Sequence, residues 1–245
     1  MKSKTMALLV LLGLALAIGV AAAQKNKPWT EWTMQDAEKI LNQSGWGQTQ
    51  TETDTTETYF TPGARPIDSR GAMNQATGVN YRIRFLSAKP IRQAFLRILE
   101  LNPTKSTPQQ TELMRQYVDR KFEKIVVIAV DYDQQGLAKD GRFTQPVFQA
   151  FGVAITATMK NNTYLDIKGG KRVFLQEYQA PIPGEGLGAK FIFPRIVDDK
   201  PILDAKTGDV RFYAEFPKAA GNNQLIKLDM RFKVKDLMYE GILEF

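Results

Sequence analysis

The chain has 245 residues, with 33 lysines and arginines against 26 aspartates and glutamates and a formal net charge of +7 at pH 7. It contains no cysteine and no histidine, which excludes disulfides, thiol nucleophiles, Ser-His-Asp catalysis and His-ligated zinc. The chemistry that remains would depend on carboxylates, lysine or tyrosine. The composition therefore favours a protein that is not an enzyme and needs no cofactor.

The amino terminus has the three-part layout of a secretory signal peptide. Lys2 and Lys4 precede an apolar run at residues 6–20, and three alanines follow. We expect residues 1–23 to be removed and the mature protein to be periplasmic or secreted. Because residues 5–24 are uncharged and about 20 residues can cross a bilayer, an uncleaved membrane anchor is the alternative. No later segment predicts a membrane span.

The positive charge is dispersed along the chain. Lysine and arginine alternate with apolar residues in the predicted strands and never form a block of five or six. This pattern is typical of solvated faces, and together with export it predicts no nucleic-acid partner.

The first predicted element is a helix over residues 34–43. Thr33 can cap its amino terminus, and Asp36 at the third helical position lies favourably near the positive end of the helix dipole. Met34, Ala37, Ile40 and Leu41 are spaced as one apolar stripe that would dock on the rest of the protein.

The next segment is rich in threonine and predicts a strand. Amide and acidic residues at positions 48, 50, 52 and 54 alternate with threonines, and the run ends at Tyr59 and Phe60. A cation site using Glu52 and Asp54 is an alternative that has only two ligands, and disorder is another. Residues 61–78 carry prolines and glycines without periodicity and predict a long loop.

A strand-helix-helix-strand unit follows. Residues 79–85 alternate as a half-buried strand, and a first helix extends from Pro90 to Leu101. A second helix begins with the capping box Thr107–Gln110, and residues 125–130 read as a strand buried on both faces. This order suggests that the two strands are neighbours. If they are parallel, a ligand is expected beyond the carboxyl end of the second strand.

Three aspartates lie at that end and are the first candidate ligand-binding residues. Asp131, Asp133 and Asp140 partly copy the spacing of a calcium loop. Gln135 stands where Asp or Asn is usual, and Arg142 stands where a bidentate glutamate belongs, so the segment is not an EF-hand. An acidic turn that ends a strand is the simpler interpretation, and a cation or ligand site is the alternative.

The second half of the chain reads as a series of antiparallel strands with a hairpin turn at Gly169 and Gly170. Strands are expected near residues 155–159, 164–167, 172–175, 190–193, 210–216 and 226–235. At the end, Tyr239, Gly241, Leu243 and Phe245 alternate as one strand, typical of the last strand of bacterial outer-membrane β proteins.

The predicted fold class is therefore α+β, with an N-terminal helix and a strand-helix-helix-strand unit followed by an antiparallel β-rich C-terminal half. The expected organisation after the signal peptide is residues 24–78, 79–152 and 153–245, with residues 79–245 as one domain in the alternative.

Three segments resemble exported bacterial proteins to which no activity is attached. They are WTMQDAEKILN at residues 32–42, YRIRFLSAKP at residues 81–90, and RFKVK with YEGILEF between residues 231 and 245. The resemblance implies export and carries over no functional residue.

Three functional hypotheses follow. The favoured one is a non-catalytic envelope or secreted protein that binds a protein or another envelope component. Its contacts would be Trp29, Trp32 and Trp46 and the loop at residues 61–78. Tryptophans beside a helix are, however, more often core residues. The second is a hydrolase that combines Asp131 and Asp133 with a distant acid, Glu177 or Glu185. The third is an outer-membrane-associated β protein.

Overall fold

A computed structural model describes residues 27–53, 78–104, 106–135, 144–217 and 225–245. These residues form an α+β fold with antiparallel sheets and a β-rich C-terminal half, which confirms the predicted fold class. The signal segment, residues 54–77 with Asp54 and most of the predicted loop, and Asp140 lie outside the described residues, whereas Gly78 begins a strand. Among the described helices, none combines the length and the hydrophobicity needed to cross a bilayer.

The helices are α1 (Met34–Asn42), α2 (Lys89–Leu101), α3 (Pro108–Val118), α4 (Gln145–Val153) and α5 (Thr156–Met159), with 3₁₀ turns at Trp29–Glu31 and Val234–Leu237. The strands are β1 (Gly47–Thr53), β2 (Gly78–Phe85), β3 (Ile125–Gln135), β4 (Thr163–Ile167), β5 (Arg172–Phe174), β6 (Glu177–Gln179), β7 (Ala189–Pro194), β8 (Ile196–Val197), β9 (Lys200–Pro201), β10 (Asp209–Pro217), β11 (Leu225–Lys233), β12 (Met238–Tyr239) and β13 (Ile242–Leu243).

Two sheets face each other across the core. The first sheet has the strand order β1-β2-β3-β7-β6, and the second has the order β11-β10-β4-β5. The alternation of β2 turns Ile83 and Phe85 toward the second sheet, where the Phe85 and Phe232 ring centroids lie 4.9 Å apart. Phe191 of β7 likewise contacts Phe212 of β10 at 5.1 Å. Aromatic pairs in edge-to-face geometry thus fill the space between the sheets.

The helices α1 and α2 cover the opposite face of the first sheet. Arg84, which alternates with Phe85, donates from Nε to the carbonyl of Leu41 in α1 at 2.9 Å. Its guanidinium also lies 5.3 Å from the ring centroid of Phe95 in α2. The described residues are therefore arranged as a helix layer, a first sheet and a second sheet. The helix α4 closes one end of the core, since its Phe151 ring stacks on Phe216 of β10 at 4.5 Å.

The capping signals predicted for α1 and α3 are confirmed. Thr33 Oγ1 accepts the Asp36 N–H at 3.2 Å, and the Asp36 carboxylate accepts the Thr33 N–H at 2.9 Å. Thr107 and Gln110 form the same reciprocal box at 3.1 and 2.9 Å. Each box satisfies N–H groups that a helix end leaves without partners.

The strands β2 and β3 are neighbours, as predicted, but they are antiparallel. Two helices connect them. Arg92 near the start of α2 donates to the carbonyls of Val118 and Arg120 at the end of α3, so these helices are antiparallel. Because α2 leads away from the end of β2 and α3 leads back, β3 begins at the end of the sheet where β2 stopped and runs in the opposite direction. The condition for a ligand crevice beyond β3, which was a parallel pair of strands, is therefore not met.

Two further predictions are wrong in the second half of the chain. The segment at residues 155–159 was expected to be a strand, but Thr156–Met159 form the helical turn α5. Its bonds are local, because the Ile155 N–H donates to Thr158 Oγ1 at 3.3 Å and the Thr158 hydroxyl donates to the Ile155 carbonyl at 2.9 Å. The helix α4 was not predicted. The hairpin between β4 and β5 is confirmed, but its connection spans residues 168–171 and is longer than two residues.

The carboxyl-terminal segment is a hairpin and not the single strand expected for Tyr239, Gly241, Leu243 and Phe245. The strands β12 and β13 pair with each other, and Glu240 and Gly241 form the turn between them with φ values of +50° and +81°. Two successive left-handed residues are typical of a tight hairpin turn, and glycine adopts this conformation at little cost.

The strand β1 is confirmed over Gly47–Thr53, and its amide face has a specific use. Gln50 donates from Nε2 to the carbonyl of Lys227 at 2.7 Å, and its Oε1 accepts the N–H of Asp229 at 2.8 Å. Gln48 donates to the carbonyl of Arg231 at 3.3 Å. These amides thus imitate a neighbouring strand along the free edge of β11.

We expect Gln50→Ala to lower the free energy of unfolding by about 1–3 kcal/mol, because two hydrogen bonds to backbone groups are lost. Thr49→Ala is the matched control, since Thr49 is the adjacent exposed residue on the other face of β1 and loses only one long, exposed hydrogen bond, from its hydroxyl to the Asn42 carbonyl at 3.4 Å; it should change stability by less than about 0.5 kcal/mol. Urea unfolding of both variants is the measurement. Equal losses would contradict the role given to the Gln50 amide.

Candidate functional site

The aspartates Asp131 and Asp133 lie on one face of β3, on the side of the helix layer, and arginines of β2 bind both. Arg84 Nη1 is 2.8 Å from Asp131 Oδ2, and Arg82 Nη1 is 3.4 Å from Asp131 Oδ1. Arg82 also pairs closely with Asp133, whose Oδ1 accepts a hydrogen bond from Asn80 at 3.1 Å. The two carboxylates are thus already bonded to cations and an amide.

Arg84 is the centre of this network. Its side chain is 3% exposed, and besides Asp131 it reaches the Asn42 Oδ1 atom at 2.7 Å and the Leu41 carbonyl at 2.9 Å. These last two groups lie at the carboxyl end of α1, where a positive charge is favourable. Burial lowers the pKa of Arg84, and the negative charge of Asp131 opposes this shift. Asp131 therefore supplies the charge that a buried guanidinium needs.

The distant acids named for a hydrolase are also bonded. Glu177 on β6 accepts a hydrogen bond from Gln179 at 2.8 Å, and Glu185 lies 2.5 Å from the buried ammonium of Lys190. The sheet register sets Glu177 level with Val127, two strands from β3 and four residues before Asp131. Standard strand spacings put the Asp131 and Glu177 Cα atoms about 16 Å apart. Because strand side chains stand roughly perpendicular to the sheet, the two carboxyl groups keep a similar separation, which exceeds the window of roughly 5–9.5 Å between paired glycosidase carboxyl groups.

The structure does not bring the three tryptophans together as a surface. Trp32 and Trp46 are buried, and Trp29 is partly buried against the same core. The Trp46 indole N–H is shared between the carbonyls of Glu244 at 3.0 Å and Leu237 at 3.3 Å. The Trp32 indole N–H donates to the Lys27 carbonyl at 3.2 Å. Trp32 and Trp46 are therefore satisfied core residues, which is the simpler of the two interpretations of the sequence.

An aromatic row lies instead on the outer face of the second sheet. It consists of Phe174 on β5, Tyr164 on β4 and Tyr213 on β10, which are direct cross-strand partners. The Tyr164 and Tyr213 rings stack with centroids 5.0 Å apart and planes at 23°, while Phe174 meets Tyr164 edge to face at 5.9 Å. Phe174 is 51% exposed although it is apolar. The row therefore presents an aromatic ridge to solvent.

Two arginines cover ring faces of the aromatic row. The guanidinium of Arg172 lies 4.4 Å from the Tyr164 ring centroid, and that of Arg211 lies 5.4 Å from the Tyr213 ring centroid. Both are cation–π contacts. With the Tyr164–Tyr213 stack, they occupy faces of both tyrosine rings, and Phe174 is the most exposed ring of the row.

The charges around the aromatic row are paired. Arg211 binds Asp229 through two nitrogens, Lys227 lies 3.7 Å from Glu215, and Arg231 lies 3.9 Å from Asp209. The hydrogen bond from Arg211 holds the pKa of Asp229 below its usual value. The Tyr213 hydroxyl donates to Glu215, which raises the pKa of Tyr213 to about 12. On the outer face, paired positive and negative side chains thus surround the aromatic row.

The sequence contained one signal for this surface. The alternation in residues 164–167, 172–175 and 210–216 predicts strands with one outward face, and aromatic residues occur at outward positions. It did not reveal that these positions are neighbours, because that depends on the pairing of β10 with β4.

Comparisons with protein-family models, with curated proteins and with solved structures give no match for this chain. Within the described residues, no group of three or more acidic side chains converges as a set that could hold a metal ion.

We expect alanine substitutions of the two aspartates to have unequal effects on the free energy of unfolding. Asp131→Ala should lower the free energy of unfolding by about 3 kcal/mol, because it leaves the buried Arg84 charge without its carboxylate. Asp133→Ala is the matched control and should cost about 0.5 kcal/mol, because its partner Arg82 is more exposed. Chemical unfolding measures both, and an unchanged stability of the Asp131 variant would contradict the structural role.

Proposed function

We propose that this protein is an exported, non-catalytic binding protein that contacts a protein component of the cell envelope through the aromatic row of the second sheet. The observation that carries the proposal is the row itself, three aromatic residues in cross-strand contact on a solvent-facing sheet with arginines beside them. Tyrosine and arginine are enriched among the residues that dominate protein–protein binding energy.

The geometry of the rings favours a protein partner over a sugar. A sugar binds best to an open ring face, where its C–H bonds meet the negative side of the ring quadrupole. In the row, Tyr213 and the Arg172 guanidinium lie against Tyr164, and Arg211 lies over Tyr213. The half-exposed Phe174 and the partly exposed tyrosines with their bound arginines remain for contact, and a mixed protein surface matches them.

The paired charges fit the same interpretation. An interface of moderate size has an aromatic centre and a polar rim that stays near water. The ion pairs Lys227–Glu215 and Arg231–Asp209 surround the row in this way. The carboxylates considered for hydrolysis have structural partners instead, so the hydrolase hypothesis has less support than binding.

Export is the part of the proposal that rests on the amino-terminal pattern alone. In the native host, we expect a chain that lacks residues 1–23 and that osmotic shock or a salt wash releases, because the pattern predicts cleavage. Fractionation with mass spectrometry of the amino terminus is the measurement. Recovery of the intact chain from the cytosol would contradict export, and recovery of the intact chain only with detergent would support the anchored alternative.

Site-specific photocrosslinking tests the contact surface. A photoreactive side chain at position 174 should give a discrete crosslinked protein in the native host. The same group at position 113 should not, although Leu113 is 67% exposed, because it lies on α3 in the helix layer. With the partner identified, Tyr164→Ala should weaken binding about thirtyfold, the effect of removing a hot-spot residue. Crosslinks at position 113 and none at position 174 would overturn the proposal.

A further inference from the structure

A second site lies on another part of the molecule, in a cleft of about 380 Å³ at the amino end of α2. The segment that follows α3 and the strand β13 form its other walls. Its lining contains three carboxylates against five cationic residues: Lys89, Arg92, Arg120, Lys121 and Arg195. The side chains of the lining therefore carry two positive charges in excess, in a cleft that is partly open to solvent.

Arg92 is the deepest of these cations. The residue is 3% exposed, and it donates to the carbonyls of Val118, Leu86 and Arg120 at 3.1, 3.2 and 3.0 Å and also to that of Ser87. All four acceptors are neutral. Its guanidinium lies 4.9 Å from the Phe122 ring centroid. Arg92 is thus held rigidly by dipoles and an aromatic ring, without a carboxylate bonded to it.

Arg195 enters the cleft from the end of β7. Its guanidinium lies 3.9 Å from the Phe245 ring centroid and donates from Nη2 to the Phe245 backbone oxygen. Its Nε–H is buried, and no acceptor for it occurs in the described part of the chain. A buried donor without an acceptor costs about 1–3 kcal/mol, and a small movement of the Arg195 side chain that opens this N–H to an oxygen in the cleft would recover that cost.

The cleft already holds one oxyanion of the chain itself. The Glu244 carboxylate accepts the N–H of Lys89 at 2.9 Å, at the first residue of α2. Asp119, a second acid of the lining, is mostly exposed and lies 3.6 Å from the Lys89 ammonium. The cleft thus binds one carboxylate of the chain itself, and its positive charge remains in excess.

We propose that this cleft binds a compact oxyanion, a phosphate or sulfate group, between Arg195 and the rim cation Lys121, with Arg92 behind them. Guanidinium groups are suited to tetrahedral oxyanions because their N–H bonds form a planar fork. The group is either the free ion or a phosphomonoester on a larger molecule. This site is separate from the aromatic row and does not depend on the function proposed for it.

The test is binding of inorganic phosphate to the full chain, measured by calorimetry and thermal unfolding at constant ionic strength with chloride as the reference. Lys121→Glu should weaken phosphate binding at least tenfold, because it reverses a charge at the rim. Lys124→Glu is the matched control, since this exposed lysine three residues away is not part of the lining, and it should change the affinity less than twofold. Glu244→Gln should tighten binding, because it removes a repelling charge and keeps an oxygen for the Lys89 N–H.

Glycerol phosphate and glycerol identify the source of the group. Binding of both phosphate and glycerol phosphate, with none of glycerol, supports a phosphomonoester, whereas binding of phosphate alone supports the free ion. The proposal is overturned if phosphate and sulfate stabilise the chain no more than chloride does. It is also overturned if Lys124→Glu weakens binding as much as Lys121→Glu, or if Glu244→Gln weakens it.

Discussion

The buried guanidinium of Arg84 is the constraint on which the layered arrangement depends. It lies between the helix layer and the first sheet, where it is hydrogen-bonded to the carboxyl end of α1 and to Asp131 on β3 and makes a cation–π contact with Phe95 on α2. Burying a charge costs several kcal/mol unless well-placed partners surround it. Three elements must therefore be in position together before Arg84 is stable. The same requirement explains why Asp131, the first candidate for ligand binding, is engaged within the fold.

Much of the fold could be predicted because its signals are local. The boxes at Thr33 and Thr107 place helix starts through bonds between residues three apart, and the period of two in β10 and β11 marks half-buried strands. The direction of β3 is not a local property. It follows from the antiparallel packing of the two connecting helices, in which Arg92 near the start of α2 is hydrogen-bonded to the end of α3. The errors at residues 155–159 and 239–245 have a related cause. Apolar and polar residues alternate in both segments, but the first forms a short helical turn and the second is interrupted by the left-handed pair Glu240 and Gly241.

The candidate surface was less predictable than the fold. Tryptophan is conspicuous in a sequence, yet Trp32 and Trp46 are buried because a large ring with one N–H fills a core well when a carbonyl is near. Tyr164, Phe174 and Tyr213 are ordinary strand residues when read singly. They become a feature only through the register that sets Tyr164 opposite both others. A site assembled across three strands leaves no motif in the chain.

The glutamine contacts of β1 also bear on self-association. Exposed strand edges are templates on which copies of a protein can add to one another and form fibres. In the described residues, side-chain amides occupy three backbone groups of β11, and the edge strands β5 and β6 on the other side have three residues each. A foreign strand would find few consecutive unpaired groups at these edges. Three of the four edges of the two sheets are therefore short or covered, and the seven-residue strand β1 forms the fourth, so the addition of a second copy would begin at β1.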